Sequence, residues 1–445
     1  MIGSRLKRIF SFCICLILCS ISTHSYSQSI IRDAEIENTL REFSIPFFDA
    51  AGIGPNDVNL ILVNDSRLNA FVAGGMNIFL YTGLILEAEN PGELIGVIAH
   101  ETGHIAGAHL IRTRAAIEQA SFQTLLTSII GVAAALGTGS GEAAGAVLAG
   151  SSSFAQQGFL AHSRTQEAAA DQAAVKYLSD AGYNAEGLLT FLEKLQSQEI
   201  LPTSQQSEYI RTHPLTSNRI AYLRENVHST KHKHDFSSVW HDKFNRIQSK
   251  LLGFIYPDRA LYYKSESIPH RYGRAIAHYR KNNLDKATTM IDALINDEPQ
   301  NPYFHELKGQ MLYENGRIKE SLPSYAKAVQ LLPGSGLLRI GYGQALLAIA
   351  KKDADYQRSI LHLERALGQE TRSPRIHRLL ATAYGRIGQE GIARLHLAEE
   401  SVLRRDISSA RRQIGLAEPA LDKSSPKWIR LQDLKQYLST ISRKR

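Results

Sequence analysis

The stretch His100-Glu101-Thr102-Gly103-His104 restricts the fold more than any other part of the chain. Two histidines four residues apart share one face of a helix, one turn from each other. Neutral imidazoles presented that way can hold one Zn²⁺ at about 2.0–2.1 Å each. Glu101, next to the first histidine, is placed to take a proton from a metal-bound water. The run Glu93-Leu94-Ile95-Gly96-Val97-Ile98-Ala99 supplies the preceding turns, with Leu94, Val97 and Ile98 at helical spacing. The motif makes a demand on the rest of the chain. A third protein ligand must arrive from elsewhere, and a catalytic metal keeps its fourth position for water. The plain alternative is a core helix with two satisfied histidines.

The third ligand has a candidate. Ser163-Arg164-Thr165-Gln166-Glu167-Ala168-Ala169-Ala170-Asp171 opens a second helix, because Ala168 to Leu178 is rich in strong helix formers. Glu167 and Asp171 share one face of it. Glu167 fits the third ligand. Asp171, one turn on, is placed to accept the free ring N–H of a metal-bound histidine and fix its tautomer. Taken alone, such an acidic pair is usually a solvated helix face; the upstream histidines give it a use.

Before the metal helix, Arg32 to Ala51 reads as a helix with Leu40, Phe43, Ile45, Phe47 and Phe48 as contacts and Pro46 as a break. Val58 to Val63 is a β-type run closed by Asn64-Asp65-Ser66. Asn69 to Tyr81 looks like strand at both ends, with a turn or bulge at Gly74-Gly75. Asn69, Ala70, Phe71, Gly74 and Gly75 are therefore candidates for aligning an extended peptide by main-chain pairing; a plain structural hairpin is the alternative. After the metal helix, Gln119 to Ala161 carries one charge, Glu142. Its apolar run Leu125 to Leu136 is too short to span a bilayer and is broken by Gly137-Thr138-Gly139-Ser140-Gly141. A helical hairpin covering the active site is expected there, with peripheral membrane contact left open.

The three cysteines, Cys13, Cys15 and Cys19, all lie in a segment that reads as a secretory signal over residues 1–27. Arg5, Lys7 and Arg8 are its basic start, Ile9 to Ile21 its apolar middle and Ser25-Tyr26-Ser27 its cleavage site. The mature chain then has no cysteine, so core packing rather than disulfides must hold it together, which suits a bacterial periplasm. Charge divides the remainder. Residues 28–267 hold 18 Lys and Arg against 25 Asp and Glu, and residues 268–445 hold 30 against 18. A basic half raises nucleic acid as a partner; export argues against it, in favour of anionic envelope surfaces or acidic protein partners.

The basic half repeats with a period near 34 residues, the tetratricopeptide length. Counting from 268, 302 and 336, the eighth positions are Ala275, Gly309 and Gly343, and later in-phase positions include Ala287, Ser321 and Ala328. Pro299 and Pro333 also fall in phase. A fourth unit begins at Pro374 after a four-residue insertion; placing that insertion within the third unit brings Ser359 and Ala366 into phase. Small residues recur because paired helices must approach closely. The expected layout is residues 28–230 as one domain, 231–267 as connecting helices with a polar Lys231-His232-Lys233-His234 linker, and 268–445 as repeats with capping helices from Ser408.

His100-Glu101-x-x-His104, the preceding Asn69-Ala70-Phe71…Gly74-Gly75, and Ser163-Arg164-x-x-Glu167-x-x-Ala170-Asp171 together resemble the M48 family of zinc metallopeptidases. The resemblance covers roughly residues 30 to 225. It implies zinc on His100, His104 and Glu167, with Glu101 as general base. One departure is Ala169, where many relatives carry a second acidic residue that does not bind zinc. Thr212-His213-Pro214 reads from residue type alone as an ordinary loop histidine. It is similar, though, to the His-Pro segment of exported M48 members that also carry helical repeats. That likeness implies His213 as a removable fourth ligand and Arg219 as its helper. The expectation is a mainly α chain: an α+β, zincin-like metallopeptidase domain with a small β-sheet, followed by an all-α tetratricopeptide solenoid. The resemblance implies a periplasmic endopeptidase acting on unfolded or misfolded proteins, with outer-membrane β-barrel precursors as clients and their assembly machinery as partner. The rival expectation is a non-proteolytic scaffold or chaperone whose zinc site is structural or permanently blocked.

Overall fold

The computed structural model describes residues 29–113, 163–198, 201–202, 205–227 and 236–443. The expected signal over 1–27, the expected cover over 119–161 and the polar linker at 231–234 lie outside the described residues. Four strands form one sheet: β1 (Ser29–Ile31), β2 (Asn59–Asn64), β3 (Ala70–Ala73) and β4 (Asn77–Tyr81), in the order β1-β2-β4-β3. β2 and β4 run parallel, with Leu60 opposite Ile78. β3 returns antiparallel on β4, with Ala70 opposite Leu80, which leaves β3 as an edge strand. Gly74 and Gly75, both at positive φ, make the β3–β4 connection a hairpin turn.

Helix α1 (Ala34–Ala50) is continuous through Pro46, so the expected break is absent. The proline removes one helical hydrogen bond, but Phe43, Phe47 and Phe48 are fully buried and hold the turns on either side. Ile45, expected as a contact, is exposed. Short α2 (Thr82–Glu87) leads to α3 (Pro91–Ala106), which opens with Pro91 at its first turn and the Asn90 side chain accepting from the Glu93 amide. Leu94, Ile95, Val97 and Ile98 are fully buried, so α3 runs through the core rather than along its surface. Helix α4 (residues 163–180) crosses α3, and α5 (Glu186–Gln196), α6 (Glu208–Thr212) and α7 (Ser217–Asn226) close the lobe. The following α8 (Ser238–Ile255) contributes Phe244, Ile247 and Leu251 to the same hydrophobic core. It then leads through α9 (Pro257–Tyr262) to the repeats.

Four helix pairs follow: α10 (Ile268–Arg280) with α11 (Leu284–Asp297), α12 (Pro302–Glu314) with α13 (Ile318–Leu331), α14 (Gly336–Ile349) with α15 (Asp353–Gln369), and α16 (Pro374–Arg386) with α17 (Glu390–Leu403). Ala275, Ala287, Ser321, Ala328, Ser359 and Ala366 are all buried in the seams. The 17-residue α15 is longer than the 14-residue α11 and α13, which is where the inserted residues are absorbed. α18 (Ile407–Ala417) and α19 (Pro426–Arg443) end the array. The two lobes meet around Lys250, whose ammonium lies 2.7 Å from Asp33 and 3.1 Å from Glu35. Tyr272 donates to the same Glu35 carboxylate at 2.9 Å. Beside this cluster the first lobe and the repeats enclose a cavity of about 600 Å³ lined by Arg32, Asp33, Glu306, Tyr313 and Arg375 among others.

Candidate metal centre

The site forms where α3 and α4 cross. Gly103 makes the crossing close: a Cβ there would lie 2.9 Å from the Ala170 carbonyl oxygen and 3.1 Å from the Ala173 Cβ. His100 stands one turn before Gly103, His104 next to it, and Glu167 one turn before Ala170 on α4. His100 Nε2 and His104 Nε2 are 3.1 Å apart. The Glu167 carboxylate reaches both, at 3.3 Å from His100 and 3.4 Å from His104. His213, at the C-terminal end of α6, places Nδ1 3.2 Å from the same carboxylate. Ligand atoms of His100, His104, Glu167 and His213 all lie within 4.8 Å of one another. A tetrahedral ion with ligands at about 2.0–2.1 Å separates its ligand atoms by roughly 3.3 Å. Three imidazoles and one carboxylate, drawn from three elements and spaced in that way, fit zinc.

The surroundings also fit an ion and its water. Glu101 is fully buried; among the described residues neither oxygen of its carboxylate has a hydrogen-bond partner, and His213 Nε2 stands 3.4 Å from one of them. A buried carboxylate without hydrogen bonds is costly, so the site suits something that supplies a proton donor or further positive charge. His100 Nδ1 meets Asp171 at 2.9 Å. Arg219 grips Asp171 with Nε at 2.6 Å and Nη2 at 2.9 Å, and its Nη1 lies 3.1 Å from Glu167. Arg219 thus braces two acidic residues rather than His213, which it approaches only through a hydrogen bond to the Pro214 carbonyl.

Burial sets the direction at Glu101 and His104, and neighbouring charges override it at His100 and Glu167. Burial alone would lower His100, but Asp171 and Glu167 raise it to about 9. Burial and the charge of His100 push His104 well below its ordinary value. Burial opposes ionisation of Glu167, yet His213, His100 and Arg219 hold it well below the usual carboxylate range. Burial raises Glu101 against the pull of His213 and His100. Against its burial, Glu167 and Glu101 likewise raise His213, so without an ion His100 and His213 are the groups that favour a proton, and an ion bound there would have to displace it.

The structure brings His100, Glu101, His104, Glu167, Asp171, His213 and Arg219 into one buried cluster. Of the candidate peptide-aligning residues, Ala70 is nearest the centre, its carbonyl 3.1 Å from His213 Nε2. Asn69 is buried beside it, its side-chain oxygen accepting from Thr212 at 3.2 Å. Phe71 stacks on Phe79 at 5.0 Å on the sheet. Gly74 and Gly75 stand at the far end of the strand, some 13 Å on at about 3.3 Å per residue. Two residues escaped sequence reasoning. Tyr209 stacks on His213 at 4.6 Å with its buried hydroxyl unpartnered; no motif marks it. His109 meets His104 at 2.9 Å; it lies five residues on, outside the helical spacings that signal a shared face.

Comparison with known proteins agrees with this geometry. The profile of Peptidase family M48 matches residues 31–227, and that of the tetratricopeptide repeat matches residues 272–336. The beta-barrel assembly-enhancing protease of Yersinia pestis is 28% identical over 258 residues, 55% of this chain and 52% of that protein. That of Escherichia coli K12 is 25% identical over 313 residues, 66% of this chain and 62% of that protein. The mitochondrial metalloendopeptidase OMA1 of Schizosaccharomyces pombe is 26% identical over 190 residues, 43% of this chain and 52% of that protein. The chain thus spans between half and two thirds of the length of these relatives. Its residues 31–227 match peptidase family M48, and they are followed by a segment, 272–336, that matches the tetratricopeptide repeat.

Proposed function

We propose that this chain is a zinc-dependent endopeptidase of the bacterial periplasm. The observation that carries the reading is the His100–His104–Glu167 cluster beside Glu101, a buried carboxylate with no hydrogen bond among the described residues. These three residues would hold the ion. When bound, zinc would polarise the scissile carbonyl and acidify a water. Glu101 takes the proton of the attacking water and passes it to the leaving amine, so that water and peptide become acid and amine. Asp171 fixes the tautomer and direction of His100, and Arg219 keeps Asp171 and Glu167 ionised. The edge strand β3 offers main-chain groups to an extended substrate segment. Segments free to become strands belong to unfolded or stalled proteins rather than compact ones.

His213 acts as a removable plug. Its Nε2 bonds the Ala70 carbonyl on the edge strand, and its Nδ1 faces the metal cluster. A peptide pairing with β3 competes for that carbonyl, so substrate binding and the departure of His213 favour each other. The repeats serve as a client-binding, chaperone-like surface. The names of the relatives, beta-barrel assembly-enhancing proteases, direct the client assignment to outer-membrane β-barrel proteins and their assembly machinery.

The four-donor set also favours a second reading, a scaffold whose zinc is permanently closed by His213. Cleavage of an unfolded client by wild type, Glu101→Gln and His213→Ala separates the two. Cleavage by wild type or His213→Ala, lost in Glu101→Gln, supports the peptidase. Intact client binding with no cleavage by any of the three supports the scaffold.

A further inference from the structure

A histidine that binds metal through one ring nitrogen needs a partner for the other, which sets its tautomer and aim. His100 has Asp171 for this. His104 has His109, with the two Nδ1 atoms 2.9 Å apart and the rings 5.0 Å apart at 80°. His109 is buried, at 5% exposure.

Nothing in a regular helix would bring these two rings together. The contact exists because the helix stops. α3 ends at Ala106, Gly107 caps it, and Ala108 takes φ +49° before the chain turns helical again at 109–113. A left-handed alanine is unfavourable by roughly 1–2 kcal/mol. Such strain persists where the surroundings enforce it, and it clusters at functional sites. Gly107 belongs to the same device: a Cβ there would lie 2.3 Å from His109 Nε2. The turn is also tied to the other metal helix. Gln166, which precedes Glu167, donates Nε2 to the His109 carbonyl at 3.2 Å and accepts from Thr113 at 2.8 Å.

We propose that His109 is the positioning residue for His104. Its unprotonated Nδ1 accepts the Nδ1–H of His104, which leaves His104 Nε2 as the metal-binding atom. The kinked turn and the Gln166 bridge hold that arrangement in register with Glu167. The inference rests on the reading of His100, His104 and Glu167 as the metal ligands. It also gives the centre an asymmetry: His100 is backed by a carboxylate and His104 by a neutral ring.

The test uses the full chain and measures zinc affinity by competition with a chromophoric chelator, together with the visible spectrum of the cobalt-substituted protein. Three variants are compared with wild type: His109→Phe, which keeps a ring and loses the acceptor; His109→Gln, which keeps an acceptor; and His104→Ala. The unfolding midpoint of each metal-free form is recorded as well. The expected result is a 10- to 100-fold loss of zinc affinity and a changed cobalt spectrum in His109→Phe. His109→Gln should recover most of both, with metal-free midpoints alike in the two. Zinc held by His109→Phe within about threefold of wild type overturns the proposal. So does an equal loss in the Phe and Gln variants, which marks a packing role. If the Phe variant does not fold, His109→Asn, whose shorter amide falls short of His104, takes its place. Loss of zinc in His104→Ala with zinc retained in His109→Phe overturns this inference alone. Wild type that takes up no zinc, or His104→Ala that binds it normally, overturns the metal reading and this inference with it.

Discussion

Lys250→Met tests the buried charge cluster that lies where the two lobes meet. The Lys250 side chain is 2% exposed, and its ammonium lies between Asp33 at 2.7 Å and Glu35 at 3.1 Å. Methionine keeps the unbranched stem and most of the volume, so the change is chiefly electrostatic. Removing one partner of a buried ion pair costs about 3–5 kcal/mol, because the other charge stays behind without compensation. Here the charges left are Asp33 and Glu35, with Glu306 close by. Two of the three can escape by taking a proton. Burial already raises Glu35, even with Lys250 in place. Withdrawal from water raises Glu306 from 4.5 to about 7. For both, the folded state holds more protons than the unfolded state between the two pKa values. The stability this gives is complete below the unfolded value and is lost as pH rises through the folded one. At pH 8 the variant should therefore lose about 3–5 kcal/mol. At pH 5 the loss should shrink toward the 1–3 kcal/mol of a lost hydrogen-bond partner. Urea unfolding followed by fluorescence reads this directly. The chain has two tryptophans, and Trp240 lies on α8 with Lys250, against Phe43 at 4.9 Å. A Trp428→Phe background leaves that one reporter. A loss under about 1 kcal/mol at pH 8, or a loss no smaller at pH 5 than at pH 8, refutes the reasoning.

Glu306→Gln should act in the opposite sense, stabilising the chain at pH 8 and changing little at pH 5 in the same urea assay, because it removes a carboxylate that resists ionisation. Gly103→Ala should push α3 from α4, since the new methyl meets the Ala170 carbonyl oxygen at 2.9 Å; zinc content should fall along with about 1–3 kcal/mol of stability, measured by metal analysis and thermal unfolding. Arg219→Met leaves Asp171 and Glu167 without their shared cation and should cost about 3–5 kcal/mol in the metal-free protein by urea unfolding. Chelation of the ion from wild type should lower the thermal midpoint, with recovery on adding zinc back and a much smaller response in His104→Ala.

The repeats were the most legible part of the fold, since a seam tolerates little besides alanine, glycine or serine at each crossing. Ala275, Ser321 and Ser359 occupy such seams. The strands were legible because Val58 to Val63 and Asn77 to Tyr81 are short apolar runs bounded by turn residues. Pro46 misled for a physical reason. A proline's cost is local, about 3 kcal/mol in a helix interior, and three buried phenylalanines around it outweigh that. The lobe junction was not legible. Lys250 reads as an ordinary surface lysine of an amphipathic helix, and its acidic partners lie more than two hundred residues earlier in the chain. Sequence spacing carries no information about such a pair.

At the candidate centre the division between legible and hidden follows helix periodicity. His100 with His104, and Glu167 with Asp171, are four apart, so each pair announces a face. What spacing cannot state is how the faces are aimed at each other. That depends on Gly103, whose missing side chain lets Ala170 approach, and glycine within a helix reads in sequence only as a weakness. His109 and Tyr209 stayed hidden for the complementary reason. His109 reaches the cluster beyond the left-handed Ala108, and Tyr209 stacks on His213 from a helix of five residues, too short to announce a face. Periodic patterns find the residues placed to bind; the residues placed to aim them come from where the pattern breaks or is too short to show.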